Sequence, residues 1–269
     1  MNAGGVMVKI LEVCNLNYKS FENFNVSFES NTFYSIVGGN NSGKTLLFKL
    51  ITGLIKTSNC ITCSKIMLND VTRYEYIKKI GVVESVNKKS FIYKKVIDEL
   101  MFPLHNLNYY KGESLDRINY ILEMFGLEEI LKKKIKDLSI YEQQKLLIVI
   151  ALLHKPKVLV LDSVFDIFSK SECFRIINVL RKFMKTEKIA VINFTSNLDL
   201  VINTKIMLLK DFKIINNIEN IDLYENDKML YENGLEIPFI VDLSNKLRMY
   251  NVIDNNYDNV KDMVNDIWQ

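Results

Sequence analysis

The run Gly38-Gly39-Asn40-Asn41-Ser42-Gly43-Lys44-Thr45 is the part of this chain whose residue types and spacing most directly specify chemistry. It fits the pattern G-x-x-x-x-G-K-[ST], which a chain of this length matches by chance only about once in a hundred at ordinary residue frequencies. Gly38 and Gly43 let the backbone curl so that successive N–H groups point inward. With the N-terminus of a following helix, those N–H groups make a cradle for phosphate. Lys44 supplies a point charge for the terminal phosphates, and the Thr45 hydroxyl is a ligand for Mg²⁺. Asn40, Asn41, Ser42 and Leu46 complete the expected contact segment. A hard divalent cation also needs a carboxylate, and Asp162, at the end of the apolar run Val158–Leu161, is placed to provide it.

Other reactive side chains carry less. Of the four cysteines, Cys60 and Cys63 form a lone C-x-x-C with no second pair and no histidine cluster, so the segment reads as a strand rather than a zinc or redox site. Nothing in the cysteine content demands an oxidising compartment. The net charge of +3 lacks the basic bias of a nucleic-acid binder, and Lys132-Lys133-Lys134 reads as a solvated helix or loop end.

The elements that must position these groups follow from apolar periodicity. With 269 residues, 48% hydrophobic and 25% charged, the chain has room for one large α/β domain with a modest appendage. Strands are expected at Val6–Val13, Phe24–Phe28, Thr32–Val37, Ile61–Leu68, Ile80–Val83, Val158–Leu161 and Ile189–Phe194, with a closing hairpin over Ile206–Leu209 and Phe212–Ile215. Helices are expected from Lys44 to about Gly53, over Val96–Phe102 with a break at Pro103, and over Ser114–Phe125 ending at Gly126. Further helices are expected over Ser139–Leu153, Ser171–Met184, Leu243–Leu247 and Val260–Trp268. The second half of Ser139–Leu153 is apolar on nearly every face and should be buried. Alternating strands and helices predict a mostly parallel, helix-covered sheet with an antiparallel β subdomain and a helical insert over about 91–153. The first ten residues lack a signal-peptide core, and the longest apolar run, Leu146–Leu153, is far short of the ~20 residues that span a bilayer. The chain is therefore expected to be soluble alone and to meet a membrane only through partners.

Small GTPases share the glycine loop but need an N-K-x-D motif, and Asn245-Lys246-Leu247-Arg248 lacks the Asp. From end to end the chain instead resembles the ATP-binding subunits of ABC transporters. Tyr18 stands where that family places an adenine-stacking aromatic, Gly81–Phe91 resembles the loop that senses the membrane partner, and Lys136–Lys145 resembles the signature region. His154–Asp162 resembles the approach to the second nucleotide motif, and Phe194–Asn197 the switch region. Val96–Leu107 and Asn233–Leu247 are similar to segments of the energy-coupling factor importers, the latter to their C-terminal extension. The resemblance implies a phosphate-loop fold of ABC type, with ATP and Mg²⁺ at Tyr18, Gly38, Asn40–Leu46 and Asp162. It divides the chain into an ATP-binding domain over 1–232 and a helical extension over 233–269 that contacts a dimer partner. The implied partners are a second ATPase subunit paired head-to-tail, as a heterodimer ahead of a homodimer, a polytopic membrane coupling subunit and a substrate-binding membrane subunit. The implied location is the cytoplasmic face of the cell membrane, peripheral through those partners.

The same resemblance exposes departures. Ser163 stands at the catalytic Glu position and Ser196 at the switch His position. A hydroxyl is no carboxylate base toward water, and losing a general base costs about 10²–10⁴ in rate. Ser85 aligns with the transmission-loop Gln, or Glu84 with a one-residue slip, and Ser169 aligns with the Asp of the loop after the Mg-binding strand. The signature is altered to Ser139-Ile140-Tyr141-Glu142, with two glycines replaced and Glu for Gln. A bare carboxylate about 6 Å from a phosphate charge costs on the order of 3 kcal/mol at an effective dielectric near 20. The expectation is a subunit that binds ATP-Mg and hydrolyses it slowly. Two alternatives stay open: a soluble nucleotide-gated interaction module without a transporter, and an active ATPase using Glu84 or Asp166 as its base.

Overall fold

A computed structural model describes residues 8–57, 60–107, 110–201, 204–218, 227–232, 234–255, 257 and 260–268. Val6, Met7 and Asn233, at the edges of expected elements, lie outside that set.

The strand β3 (Phe33–Val37) is buried at every position, as a strand covered on both faces must be. It is joined in parallel to β8 (Ala190–Thr195) on one side and β9 (Lys205–Lys210) on the other. The sheet runs β10-β9-β3-β8-β7-β6, where β6 is Ile80–Glu84, β7 is Val158–Asp162 and β10 is Lys213–Ile218. Only the β9–β10 hairpin pairs antiparallel in it. A second sheet, β2-β1-β4-β5, is antiparallel, with β1 Lys9–Tyr18, β2 Phe21–Glu29, β4 Ile61–Cys63 and β5 Ile66–Met67. Phe21, Phe24 and Phe28 of β2 all enter the core, because a register shift against β1 between Phe21 and Phe24 returns these oddly spaced residues to one face. Together with Leu11, Val13 and Leu16 they meet α1 (Lys44–Ile51), whose Leu47, Phe48, Leu50 and Ile51 lie between the two sheets.

Two expectations change. Ile61–Leu68 is not one strand: Ser64 and Lys65 take left-handed backbone (φ 48 and 69) and turn it into the β4–β5 hairpin. Pro103 does not break its helix: α3 runs Val96–Asn106. Val96, Leu100 and Leu104 are fully buried along one face, and that packing outweighs the lost N–H of one proline. The helices α2 (Arg73–Ile77) and α4 (Lys111–Phe125) precede α5 (Ile140–Leu153), and α4 ends at Gly126 as its sequence predicts. Leu146, Ile148, Val149, Leu152 and Leu153 of α5 are completely buried among α3, α4, α6 (Lys170–Glu187) and the sheet. Arg117 of α4 donates to the last carbonyls of α5, Leu152 O at 2.8 Å and Leu153 O at 3.4 Å, while paired with Glu187.

After the sheet come α7 (Asp227–Glu232), α8 (Phe239–Met249) and α9 (Val260–Ile267). Leu230, Leu235 and Val241 pack on Val37, Ile206 and Leu208, so the end of the chain covers the β3–β9 face.

Candidate functional site

The carboxyl ends of β3, β8, β7 and β6 share one edge of the sheet, the place where open α/β sheets hold ligands. Each end delivers a residue marked by the sequence. β3 runs into the glycine loop, β8 into Ser196, β7 into Asp162 and Ser163, and β6 into Glu84 and Ser85.

The loop after β3 has the conformation its glycines anticipate. Gly43 has φ 104, and a Cβ there would lie 2.6 Å from the Phe212 ring. A Cβ on Gly38 would meet the Leu209 carbonyl. Phe212, at the β9–β10 turn, donates its N–H to Ser42 O at 3.1 Å and stacks edge-on against Phe21, 5.1 Å between centroids. The hairpin thus clamps the loop from outside.

A cavity of about 540 Å³ opens at the N-terminus of α1. Its lining includes Asn40, Asn41, Ser42, Gly43, Lys44, Thr45 and Leu46 from the loop, with Asp162, Ser163 and Ser196 from the strand ends. Gly38 lies beneath, where Lys44 Nζ donates to its carbonyl and to Gly39 O at 2.9 Å, and Ser196 Oγ donates to Gly38 O at 3.1 Å. Burial lowers the Lys44 pKa, opposed by the Asp162 charge. Burial first, then Glu84, raises that of Asp162, opposed by Ser163 and Lys44. Burial is the first cause of both shifts: a cation and an anion are held with little water. The curled N–H loop, Lys44 and the Thr45–Asp162 oxygens fit a magnesium-bound polyphosphate.

Tyr18 is placed differently from the loop residues. It ends β1 opposite Phe21, packs on the core between the sheets and does not line the cavity, whereas its neighbour Lys19 does. Ser163 has left-handed backbone (φ 53), and its Oγ lies 3.5 Å from Asp162 Oδ1. Ser85 Oγ donates to Ser163 O at 2.6 Å, so the β6 and β7 ends are tied. Asp162 is the one carboxylate lining this cavity among the described residues. Asp166 lines an adjoining cavity of about 730 Å³ that shares Asn40, Ser163 and Ser196. Burial raises the Asp166 pKa, opposed by a hydrogen bond from Ser163.

The Ser139–Glu142 segment does not reach this cavity within the chain; it heads α5. There it forms a reciprocal cap. Glu142 N donates to Ser139 Oγ at 3.2 Å, and Ser139 N and Oγ both donate to Glu142 Oε2 at 2.8 Å. The Glu142 pKa is lowered by these Ser139 bonds, with Lys133 and Lys145 adding to it. The carboxylate is therefore not bare, and the 3 kcal/mol expected of an isolated charge is an upper bound. Ile140 and Tyr141 stand half exposed beside it. Ser169 caps α6, accepting from Glu172 N at 3.3 Å.

Gln144 escaped sequence reading. Fully buried, it accepts from Val86 N at 2.7 Å and donates to Glu84 O at 3.1 Å, fastening the loop after β6 to α5. It stands in the polar run Glu142-Gln143-Gln144-Lys145 near the start of α5, and nothing local sets it apart from those neighbours. Phe212, likewise, read only as the start of a strand.

The profile of the ABC transporter family matches residues 21–166, which span the glycine loop, the α5 cap and Asp162. The chain belongs to this family. Among curated relatives, the energy-coupling factor transporter ATP-binding protein EcfA1 of Oenococcus oeni is 29% identical over 97% of this chain and 98% of its own length. The EcfA protein of Pediococcus pentosaceus is 28% identical over 87% of each. Among solved structures, cbiO1 of Clostridium perfringens, described as part of the ABC transporter complex cbiONQ, superimposes with a TM-score of 0.74 at 23% identity, covering 87% of this chain and 98% of that one. That structural likeness establishes the ABC ATPase fold, and the family implies ATP binding. No described helix is long and apolar enough to cross a membrane.

Proposed function

We propose that this chain is an ATP-binding subunit of an energy-coupling factor type importer that holds ATP-Mg at Gly38–Leu46 and Asp162 and turns it over slowly. The observation that carries the reading is a complete phosphate cradle whose cavity offers Asp162 as its carboxylate, with Ser163 and Ser196 beside it. In this reading the loop N–H groups and Lys44 bind the terminal phosphates, while Thr45 and Asp162 hold the metal. Bound Mg²⁺ supplies charge neutralisation to the phosphates. Lys44 must exchange its contacts with Gly38 O and Gly39 O for the ligand. Asp162 is occupied as a ligand, and a serine at 163 leaves the attacking water without a strong proton acceptor.

The similarity to EcfA proteins over nearly full length supports a head-to-tail pairing with a second ATPase, a polytopic membrane subunit and a substrate-binding membrane subunit, at the inner face of the membrane. It also favours this reading over a transporter-free module. Residues 1–232 are then the ATP-binding unit, and 233–269 an extension toward the second ATPase. Leu235 and Val241 face inward there, while Phe239, Met249, Tyr250 and Trp268 stay exposed. In the assembly, the capped Ser139–Glu142 would confront the partner's nucleotide.

The purified chain is expected to bind ATP-Mg with micromolar affinity in titration calorimetry, to lose at least tenfold on Lys44→Ala, and to release little phosphate alone. Unchanged affinity in the Lys44 variant would overturn the site. Phosphate release by the isolated chain matching that of an intact relative would overturn the slow-turnover reading.

One observation supports a residual activity: Asp166, in the adjoining cavity beside Ser163, has a raised pKa suited to accepting a proton.

A further inference from the structure

The C-x-x-C spacing draws attention to Cys60 and Cys63, yet the sheet separates them. The β1–β4 ladder pairs Leu11 with Cys63 and Val13 with Ile61, and those four side chains are buried. One step further along the same register Cys14 stands opposite Cys60, and Cys14 N donates to Cys60 O at 2.8 Å. Directly opposed residues of antiparallel strands project from the same face. Here that face is the outer one, since Cys14 is exposed and Cys60 partly so. A hydrogen-bonded cross-strand pair has Cα atoms about 5.5 Å apart, inside the roughly 4.4–6.8 Å that a disulfide spans.

We propose that Cys14 and Cys60 form a cross-strand dithiol that is reversibly oxidised to a disulfide by low-molecular-weight disulfides. The exposed Cys14 thiolate attacks one sulfur of the reagent, forms a mixed disulfide and expels one thiolate. The Cys60 thiolate then attacks the Cys14 sulfur and expels the second. Two protein thiols become one disulfide, and one reagent disulfide becomes two thiols, so atoms and electrons balance. Cys63 takes no part: it is completely buried on the opposite face, and burial pushes its thiol up to about 12.

The position gives the bond a consequence. Lys19, five residues after Cys14, and Ile55, five before Cys60, both line the phosphate-loop cavity. The linkage would close a loop of chain containing β2, β3, the glycine loop and α1, and would tie together two segments that border the cavity.

The test is to incubate the full chain in its native state with oxidised glutathione, quench it in acid, alkylate it and map the peptides without reduction. The expected product is a Cys14–Cys60 linked peptide, lighter by two hydrogen atoms than the two free peptides and released by dithiothreitol. Cys60→Ser should instead retain glutathione on Cys14, and Cys14→Ser should form no link. Persistent glutathione on Cys14 of the unsubstituted chain, free alkylation of both thiols, or a Cys60–Cys63 link would each overturn the proposal. The unsubstituted chain alone decides between these outcomes if a variant fails to fold.

Discussion

In the proposed reading Ser163 is the residue beside Asp162 where an attacking water would need a proton acceptor, and its backbone is left-handed at φ 53. Ser163→Glu adds a carboxylate there, at a left-handed position that Ser and Glu are both strained to adopt. ATP turnover measured by phosphate release, with the partner ATPase present, should rise by about 10²-fold, the low end of general-base contributions. Asp166 tests the residual rate. Its pKa lies above the ordinary Asp range, so the base form is lost from a higher pH downward. Slow turnover should fall as pH drops through that raised pKa, and Asp166→Asn should abolish this dependence. A pH profile of single-turnover phosphate release in both proteins checks it. The same shift has a stability sign: a carboxyl with a raised folded-state pKa favours folding most below its unfolded pKa, and that contribution is lost as pH rises through the folded value.

At the scale of elements, α5 links the Ser139–Glu142 cap to the β6 edge of the site. Its buried Gln144 satisfies Val86 N–H and Glu84 C=O together. Gln144→Ala removes both bonds, at about 0.5–1.5 kcal/mol for each of these part-buried partners. Chemical denaturation should show that loss, and hydrogen exchange at Val86 should accelerate in the same variant. The loop it fastens also rests on Glu99 of α3, whose Oε2 accepts from Ile92 N at 3.0 Å and Tyr93 N at 2.7 Å. The loop between β6 and α3 is thus held at both ends by buried side chains of helices.

Across the whole molecule, the end of the chain is part of the site's foundation. Leu235 is 1% exposed and packs with Val37, the residue before the glycine loop. Leu235→Ala should lower unfolding free energy by about 2–5 kcal/mol, as expected for a buried leucine, with a smaller effect on ATP affinity. Thermal denaturation and nucleotide titration of the same variant separate the two.

What the sequence determined by itself was set by local physics. Gly38 and Gly43 ahead of Lys44 allow a curled turn, and β-rich runs such as Phe33–Val37 have one stable environment. Hence the phosphate loop, its helix, Asp162 at a strand end and most element boundaries were legible. The tertiary structure decided whatever depends on which segments meet. Pro103 stays helical because Val96, Leu100 and Leu104 are buried around it. Phe212 clamps Gly43 across 169 residues of sequence, Gln144 reaches Val86, and Cys60 faces Cys14 instead of Cys63. Strand register and burial are set by packing free energy summed over many distant contacts, and no window of neighbouring residues contains that sum.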